Sequence, residues 1–223
     1  MDYFELIRKY PAFFNNTDAP IKIISDRKEI VDWENSQDNK INDVDLETNK
    51  IGIVYQDSIV LLLRDLVEFP SGEIGGYIRL FNQGEFEGGK GVVILPIYQG
   101  KIVLIHHFRH ATRQWHWEFP RGFGELGVLP IDQAKKEVWE EIGGNIESIK
   151  EIGSVYINTG LEGNQTKIFI AWISSMGDLE VNEGISDFCM LTIEELEEKI
   201  SIGEINDGFT LSAYAKAKMT KHL

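Results

Sequence analysis

The sequence of 223 residues contains a single cysteine, Cys189, which excludes an intrachain disulfide and a cysteine-rich zinc site. It also lacks a long hydrophobic run, because the apolar stretches Ile59–Leu63 and Val92–Ile97 are far shorter than the roughly 20 residues of a transmembrane helix. The first residues, Met1–Glu5, lack the basic and apolar regions of a signal peptide. We therefore expect a cytoplasmic protein that makes no membrane contact.

Basic residues are scarce relative to acidic ones, since 22 Lys and Arg against 36 Asp and Glu give a net charge of −14. Such a charge repels a phosphate backbone, so we expect no nucleic-acid partner. It does not exclude a small anionic substrate, because a bound divalent cation reverses the sign of the local field. With 43% hydrophobic residues, the chain has enough apolar material for one sizeable core, or for a core and a small added domain.

The order of the predicted elements favours a mixed β-sheet with helices packed on it, because strands and helices interleave without a regular βαβ rhythm. A short helix is predicted at Asp2–Tyr10 and an exposed polar linker at residues 34–50. The glycine- and glutamate-rich segment Asn82–Gly91 predicts a domain boundary, with an N-terminal region at residues 1–88 and a second domain at residues 89–223. Strands are predicted at residues 51–55, 59–64, 77–81, 92–98, 102–108, 152–158 and 167–173, and further helices at 131–142, 193–200 and 210–219.

A glycine-rich loop followed by an acidic helix carries most of the chemical information. The loop Trp117–Gly127 contains three glycines, which allow tight turns and close approach to a ligand. Three glutamates on the helix are spaced so that all can point to one side: Glu137, Glu140 and Glu141. Carboxylates at this spacing repel, and a hard divalent cation such as Mg²⁺ or Mn²⁺ would offset the repulsion. Three glutamates alone would be explained by a solvent-exposed helix face. The preceding glycine-rich loop and Gly143 at the helix end favour a metal site instead.

These residues resemble the Nudix box, which reads G-x5-E-x7-R-E-U-x-E-E-x-G-U in that family, where U is a bulky aliphatic residue. The two glycines and the three later glutamates of the pattern are present. Val128 stands where the first Glu belongs, Lys136 replaces the Arg, and Gly144 replaces the last aliphatic residue. In the family, that Glu and Arg help hold the loop against the helix. Here Val128 can supply apolar packing instead, and Glu125 is a candidate replacement carboxylate.

Beyond the box, residues 50–220 resemble the ADP-ribose pyrophosphatase branch of the family. The matching segments are His106–His110, Trp117–Pro120, Asn158–Leu161, Ile168–Ala171 and Asp207–Thr210. The resemblance implies an α+β fold, an α/β/α sandwich in which a mixed β-sheet lies between helices, with a small N-terminal helix and β-subdomain. Members of the branch are often homodimers with an N-terminal β-subdomain, whose counterpart here would be residues 50–88.

The resemblance also implies a metal site and a hydrolytic reaction. Glu137 and Glu141 are the expected ligands of Mg²⁺ or Mn²⁺, Glu140 shares a second ion or a water, and the backbone carbonyl of Arg121 is a further ligand. A water attacks one phosphorus of a diphosphate, which requires a general base. The branch often takes its base from a glutamate of the loop after the box; at the corresponding place this chain has Asn164, and Glu162, two residues earlier, is the candidate base. Glu137 is the alternative.

Three residues near the loop are candidates for substrate binding: Arg109, Glu118 and Arg121. The planar guanidinium of Arg109 suits a phosphate, although a surface salt bridge explains it as well. Glu118 lies between two aromatic residues and is costly to bury without a partner. It either lines the site or supports the metal, or it pairs with Arg113 or Arg121.

The function expected from these features is metal-dependent hydrolysis of a nucleoside diphosphate linked to another moiety, with ADP-ribose or a nucleotide sugar as the leading substrates. A second enzymatic hypothesis changes the substrate to a dinucleotide or a coenzyme. A third hypothesis is a non-catalytic nucleotide-binding domain, which the departures at Val128 and Lys136 favour.

Overall fold

The structure is a computed structural model that describes residues 1–38, 49–179 and 183–223. The chain divides into two units. The first unit contains the chain from Met1 to Phe86 together with the short segment Asn158–Gly163, and the second unit contains the remainder. Among the described residues, no helix is long and apolar enough to cross a membrane.

The first unit is built around a four-stranded antiparallel sheet. Its elements in chain order are α1 (Tyr3–Lys9), a 3₁₀ helix (Pro11–Phe14), β1 (Lys22–Ile24), α2 (Arg27–Asp38), β2 (Gly52–Gln56), β3 (Val60–Glu68), β4 (Ile74–Asn82) and α3 (Gln83–Phe86). Strand β4 pairs along the whole of β3, while β1 and β2 pair with successive parts of it. Strand β3 is therefore the centre of this sheet.

A buried polar cluster connects α1 and the 3₁₀ helix to this sheet. The Tyr3 hydroxyl donates a hydrogen bond of 2.6 Å to Asp65, which is 1% exposed. The Arg79 guanidinium contacts the other oxygen of Asp65 and donates to the carbonyl of Phe13 at 2.8 Å. Apolar side chains from α1, α2, β3 and β4 surround the cluster. The first residues of the chain are thus part of the core of the first unit.

The second unit is built around a seven-stranded mixed sheet. Its elements are β5 (Val92–Tyr98), β6 (Lys101–Arg109), β7 (Gln114–Glu118), β8 (Arg121–Gly122), α4 (Pro130–Ile142), β9 (Asn145–Val155), β10 (Thr166–Ser175), β11 (Ile185–Leu191), α5 (Ile193–Ser201) and α6 (Gly208–Met219). The order is β11-β6-β5-β10-β9, with β7 paired to β6 and β8 paired to β5. Strands β5 and β10 are parallel and the other pairs are antiparallel.

Both faces of this sheet are buried, because alternate residues of its central strands enter different cores. In β5, Val93 and Leu95 pack on the side that α5 and α6 cover. Val92 and Ile94 pack on the other side, against α4. This two-sided burial is the expected arrangement for a sheet between helices. The predicted α+β class, as an α/β/α sandwich with an N-terminal helix and β-subdomain, is confirmed.

Several predicted element boundaries were wrong. Residues 34–38, predicted as exposed linker, are helical in α2, and the linker residues 39–48 lie outside the described part of the chain. The short helix α3, within the segment Asn82–Gly91, was not predicted. Strand β9 begins at Asn145, seven residues before the prediction, and ends at Val155. Strands β7 and β11 were not predicted at all.

Candidate active site

Helix α4 carries the three glutamates, and its sequence determines where it begins and ends. Pro130 lies in the first turn, where a backbone N–H has no intrahelical partner. Ala134, Val138 and Ile142 are fully buried and pack one face of the helix on the sheet. Gly143 ends the helix at φ 59°, a left-handed conformation that glycine adopts without strain. The bounds of the acidic helix are therefore set by a proline, a glycine and an apolar face.

The three glutamates do not share one environment. Glu137 and Glu141, one helical turn apart, are 9% and 2% exposed. The side chain of Glu140 is 44% exposed and lies 3.7 Å from the Lys136 amine. Because successive residues are separated by about 100° around an α-helix, Glu140 projects away from Glu141. The structure brings Glu137 and Glu141 together and leaves Glu140 on the exposed side of α4.

Strand β8 places the backbone of the glycine-rich loop against the two buried glutamates. The amide of Arg121 donates a hydrogen bond of 3.2 Å to Glu141. A Cβ atom at Gly122 would overlap the carboxylate of Glu137, so that any other residue forces this side chain or the strand to move. The pairing of β8 with β5 fixes the strand in this position. The first glycine of the pattern is thus required by the close approach of Glu137.

The pKa values of both buried carboxylates are raised. Burial is the main cause for Glu141, and the negative charge of Glu137 adds to it, so that its pKa lies well above the usual range. Burial is also the main cause for Glu137, where a hydrogen bond from Gln133 acts in the opposite direction and the charges of Glu140 and Glu183 raise the pKa further. A cation bound beside these carboxylates would favour their ionised forms.

The donor set of this region fits a hard divalent cation. Glu137 and Glu141 supply carboxylate oxygens, the ligands that Mg²⁺ and Mn²⁺ prefer, and Mg²⁺ typically uses one or two carboxylates and keeps several waters. A positive ion would also relieve the cost of burying two like charges. Within the described ranges, no three His, Cys, Asp or Glu side chains are already grouped as a metal site. Glu137 and Glu141 are therefore the side chains that would hold such an ion.

A second buried carboxylate cluster lies on the β6–β7 hairpin. Glu118 has no exposed surface, and Arg109 donates to both of its oxygens, at 3.1 Å from Nε and by a shorter contact from Nη2. Nδ1 of His107 lies 3.4 Å from the same carboxylate. Burial by itself raises the pKa of Glu118, but the nearby His107, the hydrogen bonds from Arg109 and the charge of Arg121 outweigh it and lower the pKa. Glu118 is therefore an ionised, internally paired group.

The arginines near this cluster have different partners. Arg109, with 26% of its side chain exposed, forms a partly buried pair and not a surface salt bridge. Arg121 lies 3.7 Å from Glu118 and 3.7 Å from Asp207. Arg113, one of the two partners predicted for Glu118, instead contacts His110 at 2.8 Å, so that part of the prediction was wrong. The main partner of Glu118 is Arg109.

The N-terminal end of α6 is tied to the end of β7. Asp207 caps the helix by accepting hydrogen bonds from the amide and the hydroxyl of Thr210, at 2.8 and 2.9 Å. The Thr210 hydroxyl in turn accepts from the amide of Phe119 at 3.0 Å. The Arg121 guanidinium lies 4.7 Å above the ring of Phe209. This set of contacts fixes the position of the Arg121 side chain beside the loop.

A polar connection replaces the Glu–Arg pair that the Nudix pattern leads one to expect. The Lys136 amine contacts the Glu125 carboxylate, as the sequence suggested for a replacement acid. Hydrogen bonding to Lys136 is the main cause of the lowered pKa of Glu125, and Gln133 makes a smaller contribution. Gln133 also donates to Glu137 at 2.6 Å. The loop and the helix are thus connected by the contact of Lys136 with Glu125, and Gln133 supports Glu137 within the helix.

The candidate base Glu162 belongs to the first unit. Its segment, Asn158–Gly163, runs beside β4, where Leu80 donates to Leu161 at 2.8 Å and Gly163 donates to Leu80 at 3.0 Å. The Glu162 amide donates to the carbonyl of Asn158 at 2.7 Å. Glu162 therefore lies in a turn that is attached to the edge of the first sheet.

Sequence reasoning missed three side chains of the second unit: Gln133, His107 and Glu183. Gln133 precedes Glu137 by one helical turn, a spacing that could have identified the contact. The proximity of His107 to Glu118 depends on the β6–β7 register, which is not readable from the sequence. Glu183 influences Glu137 from a segment 46 positions later in the chain, which local sequence does not reveal.

One family model matches the region that contains these residues. The family model described as NUDIX domain matches residues 89–210, which is more than half of the chain. The matched range includes the glycine-rich loop, all of α4 and the strands that hold them.

Individual relatives agree with this match. An ADP-ribose pyrophosphatase of Mycobacterium tuberculosis is 24% identical, over 75% of this chain and 81% of its own length. An ADP-ribose pyrophosphatase of Bacillus subtilis is 23% identical, over 73% of this chain and 85% of its own length. A GDP-mannose pyrophosphatase of Escherichia coli is 29% identical, over 56% of this chain and 72% of its own length. A crystal structure titled ADP compounds hydrolase superimposes with a TM-score of 0.65, covering 76% of this chain and 90% of that chain at 17% identity, which supports the fold.

Proposed function

Because this chain belongs to the Nudix family, we propose that it hydrolyses the diphosphate bond of a nucleoside diphosphate linked to another moiety, with ADP-ribose as the first substrate and a nucleotide sugar as the second. It is a Nudix pyrophosphohydrolase of the ADP-ribose pyrophosphatase-like branch. The observation that carries the proposal is the buried pair Glu137 and Glu141, held against Gly122 and the amide of Arg121.

We assign metal binding to Glu137 and Glu141, with Glu140 at a second ion or a water and the carbonyl of Arg121 as a further ligand. Mg²⁺ or Mn²⁺ bound there would supply an activated water and neutralise charge on the leaving phosphate. The protein contributes a fixed geometry, since Gly122 admits the Glu137 carboxylate and the Arg121 amide orients Glu141.

Arg121 is the stronger candidate for a contact to a substrate phosphate. Arg109 is already engaged by both oxygens of Glu118. Arg121 lies farther from its acidic neighbours, at 3.7 Å from Glu118 and 3.7 Å from Asp207, and 22% of its side chain is exposed. A guanidinium that is not held by a close carboxylate suits a phosphate oxygen. Glu118 then has the role of holding Arg109, and to a lesser degree Arg121, in place.

The general base is assigned to Glu162, with Glu137 as the alternative. Glu183 is a third candidate, because it lies in the same unit as Glu137 and its charge raises the pKa of that residue. Replacing each acid separately by Gln distinguishes them. Glu162 or Glu183 is the base if its loss lowers kcat by about 10²–10⁴-fold while metal affinity is unchanged. If neither loss does so, Glu137 is the base, and its replacement should lower both kcat and metal affinity.

The extent of the alignments with relatives supports ADP-ribose as the first substrate and a nucleotide sugar as the second. The two ADP-ribose pyrophosphatases align with 75% and 73% of this chain, whereas the GDP-mannose pyrophosphatase aligns with 56%. Homodimerisation through residues 50–88 and a cytoplasmic location stay predictions from the sequence.

The test is a panel of ADP-ribose, GDP-mannose, a dinucleoside polyphosphate and coenzyme A, each assayed with Mg²⁺ and with Mn²⁺. We expect ADP-ribose to give the highest kcat/KM. Binding of nucleotide without cleavage of any compound would support the non-catalytic hypothesis instead. The connection of Lys136 to Glu125 argues against that hypothesis, because the loop is still held to the helix.

A further inference from the structure

Gln133 occupies an unusual position for a polar residue. It lies in the first half of α4, next to the apolar face, and is only 2% exposed. Burying an amide costs free energy unless it forms hydrogen bonds. Its Nε2 donates to Oε1 of Glu137 at 2.6 Å, one helical turn away. A buried amide is therefore used to contact one of the two buried carboxylates.

The amide also acts on the glycine-rich loop. It contributes to the lowered pKa of Glu125, whose main partner is Lys136. An amide nitrogen carries two hydrogens, so that one remains for a second acceptor when Gln133 donates to Glu137. The direct connection of the loop to the helix is the contact of Lys136 with Glu125, and Gln133 supports Glu137 itself.

The orientation of this amide is fixed by the charges around it. Its Oε1 is buried and has no hydrogen-bond partner within the described ranges. A flipped amide would place that oxygen against the carboxylate of Glu137, which is unfavourable because both atoms are acceptors. The N–H groups therefore face the acids, and the acceptor stays unused.

Glu137 is consequently restrained from two directions. The backbone at Gly122 leaves no room on one side of its carboxylate, and Gln133 donates to one of its oxygens. We propose that Gln133 is a positioning residue, which orients the Glu137 carboxylate for the divalent cation and replaces the support lost with Val128 and Lys136. This inference rests on the proposed function, in which Glu137 binds the cation.

The decisive variant is Gln133→Met, which keeps the length of the side chain and removes both donors. The matched control is Gln56→Met, at an exposed glutamine of the first unit. We expect Gln133→Met to raise the Kd for Mn²⁺, measured by electron paramagnetic resonance without substrate, by about 10- to 100-fold, as for other residues that orient metal ligands. For ADP-ribose hydrolysis at saturating Mn²⁺, we expect kcat to fall about tenfold or more while KM changes less than about twofold, since misplaced catalytic groups affect mainly the chemical step.

A second variant keeps the test informative if Gln133→Met does not fold. Gln133→Asn retains the amide but is one methylene too short to reach Glu137, and we expect the same loss of Mn²⁺ affinity. Folded Gln133→Met or Gln133→Asn protein with the Mn²⁺ affinity and kcat of the unmodified protein would overturn the inference. If Mn²⁺ binding depends on Gln133 but no diphosphate is cleaved, the proposed function fails and the positioning role stands.

Discussion

The guanidinium of Arg109 donates two hydrogen bonds to Glu118, a carboxylate without exposed surface. Removing Arg109 has a different consequence from removing the charge of Glu118. Without Arg109, a buried carboxylate loses its main partner. Without the charge of Glu118, Arg109 still has 26% of its side chain in contact with solvent. The pair therefore predicts unequal effects of substitution.

We expect Arg109→Met to lower the free energy of unfolding by about 3–5 kcal/mol, the range for breaking a buried ion pair. Glu118→Gln should cost less, because the amide oxygen still accepts from Arg109 and the charge that remains, on Arg109, is partly in contact with solvent. Urea unfolding followed by circular dichroism measures both values. Arg113→Met, at an exposed arginine, is the control. Equal losses of unfolding free energy in Arg109→Met and Glu118→Gln would contradict this prediction.

The contact between Tyr3 and Asp65 predicts a dependence of stability on alkaline pH. Burial, followed by the charge and the hydrogen bond of Asp65, raises the pKa of Tyr3 far above its ordinary value of about 10. The folded state thus holds this proton more tightly than the unfolded state. The stabilisation is complete below pH ~10 and is lost as pH rises further. The difference in Tm between the unmodified protein and Tyr3→Phe should therefore shrink as pH rises from ~10 to ~12. A constant difference would show that Tyr3 does not titrate with unfolding.

Glu141→Gln should stabilise the metal-free protein. The substitution removes a buried charge that the neighbouring Glu137 repels, and the raised pKa of Glu141 indicates that its ionised form is unfavourable. We expect Tm to rise by roughly 2–4 °C in EDTA, which corresponds to about 1 kcal/mol in a chain of this size. The stabilisation that Mg²⁺ gives the unmodified protein should be largely lost. Glu147→Gln, an equal change of charge at an exposed site of β9, should change neither the Tm in EDTA nor the stabilisation by Mg²⁺.

Gly122→Ala tests the close approach of Glu137 to the loop. Because the added Cβ would overlap the carboxylate, either Glu137 or β8 must move, and we expect activity on ADP-ribose to fall at least about a hundredfold. Gly75→Ala is the matched control, since its Cβ would make an ordinary contact of 3.7 Å with the ring of Phe69. Similar kinetics for both variants would show that Gly122 has no such role.

The second unit was largely predictable because its elements have strong local signals. Helix α4, predicted at residues 131–142, begins one residue earlier and ends where predicted, because Ala134, Val138 and Ile142 recur every four residues and Gly143 follows. Strands β5 and β10 were predicted from continuous apolar runs, which are typical of strands buried on both faces.

The pairings within the site were less predictable, because they depend on the register of distant segments. Strand β7 pairs with β6 in a register that places Glu118 opposite Ile105 and Gln114 opposite Arg109. The contact between Glu118 and Arg109 depends on this register. Glu140 matches the family pattern as well as Glu141 does, yet its angular position on the helix leaves it exposed. Helix α2 was missed because its sequence is mainly polar, with few apolar residues to reveal the side that packs.

Product analysis by phosphorus-31 NMR tests the central claim most directly. With Mg²⁺, the unmodified protein should convert ADP-ribose to AMP and ribose 5-phosphate. Glu141→Gln should be slower by at least about a hundredfold, since a bound metal contributes several kcal/mol to such reactions. Glu147→Gln should retain the full rate. Cleavage by Glu141→Gln at the rate of the unmodified protein, or no cleavage of either ADP-ribose or GDP-mannose by the unmodified protein, would contradict the account.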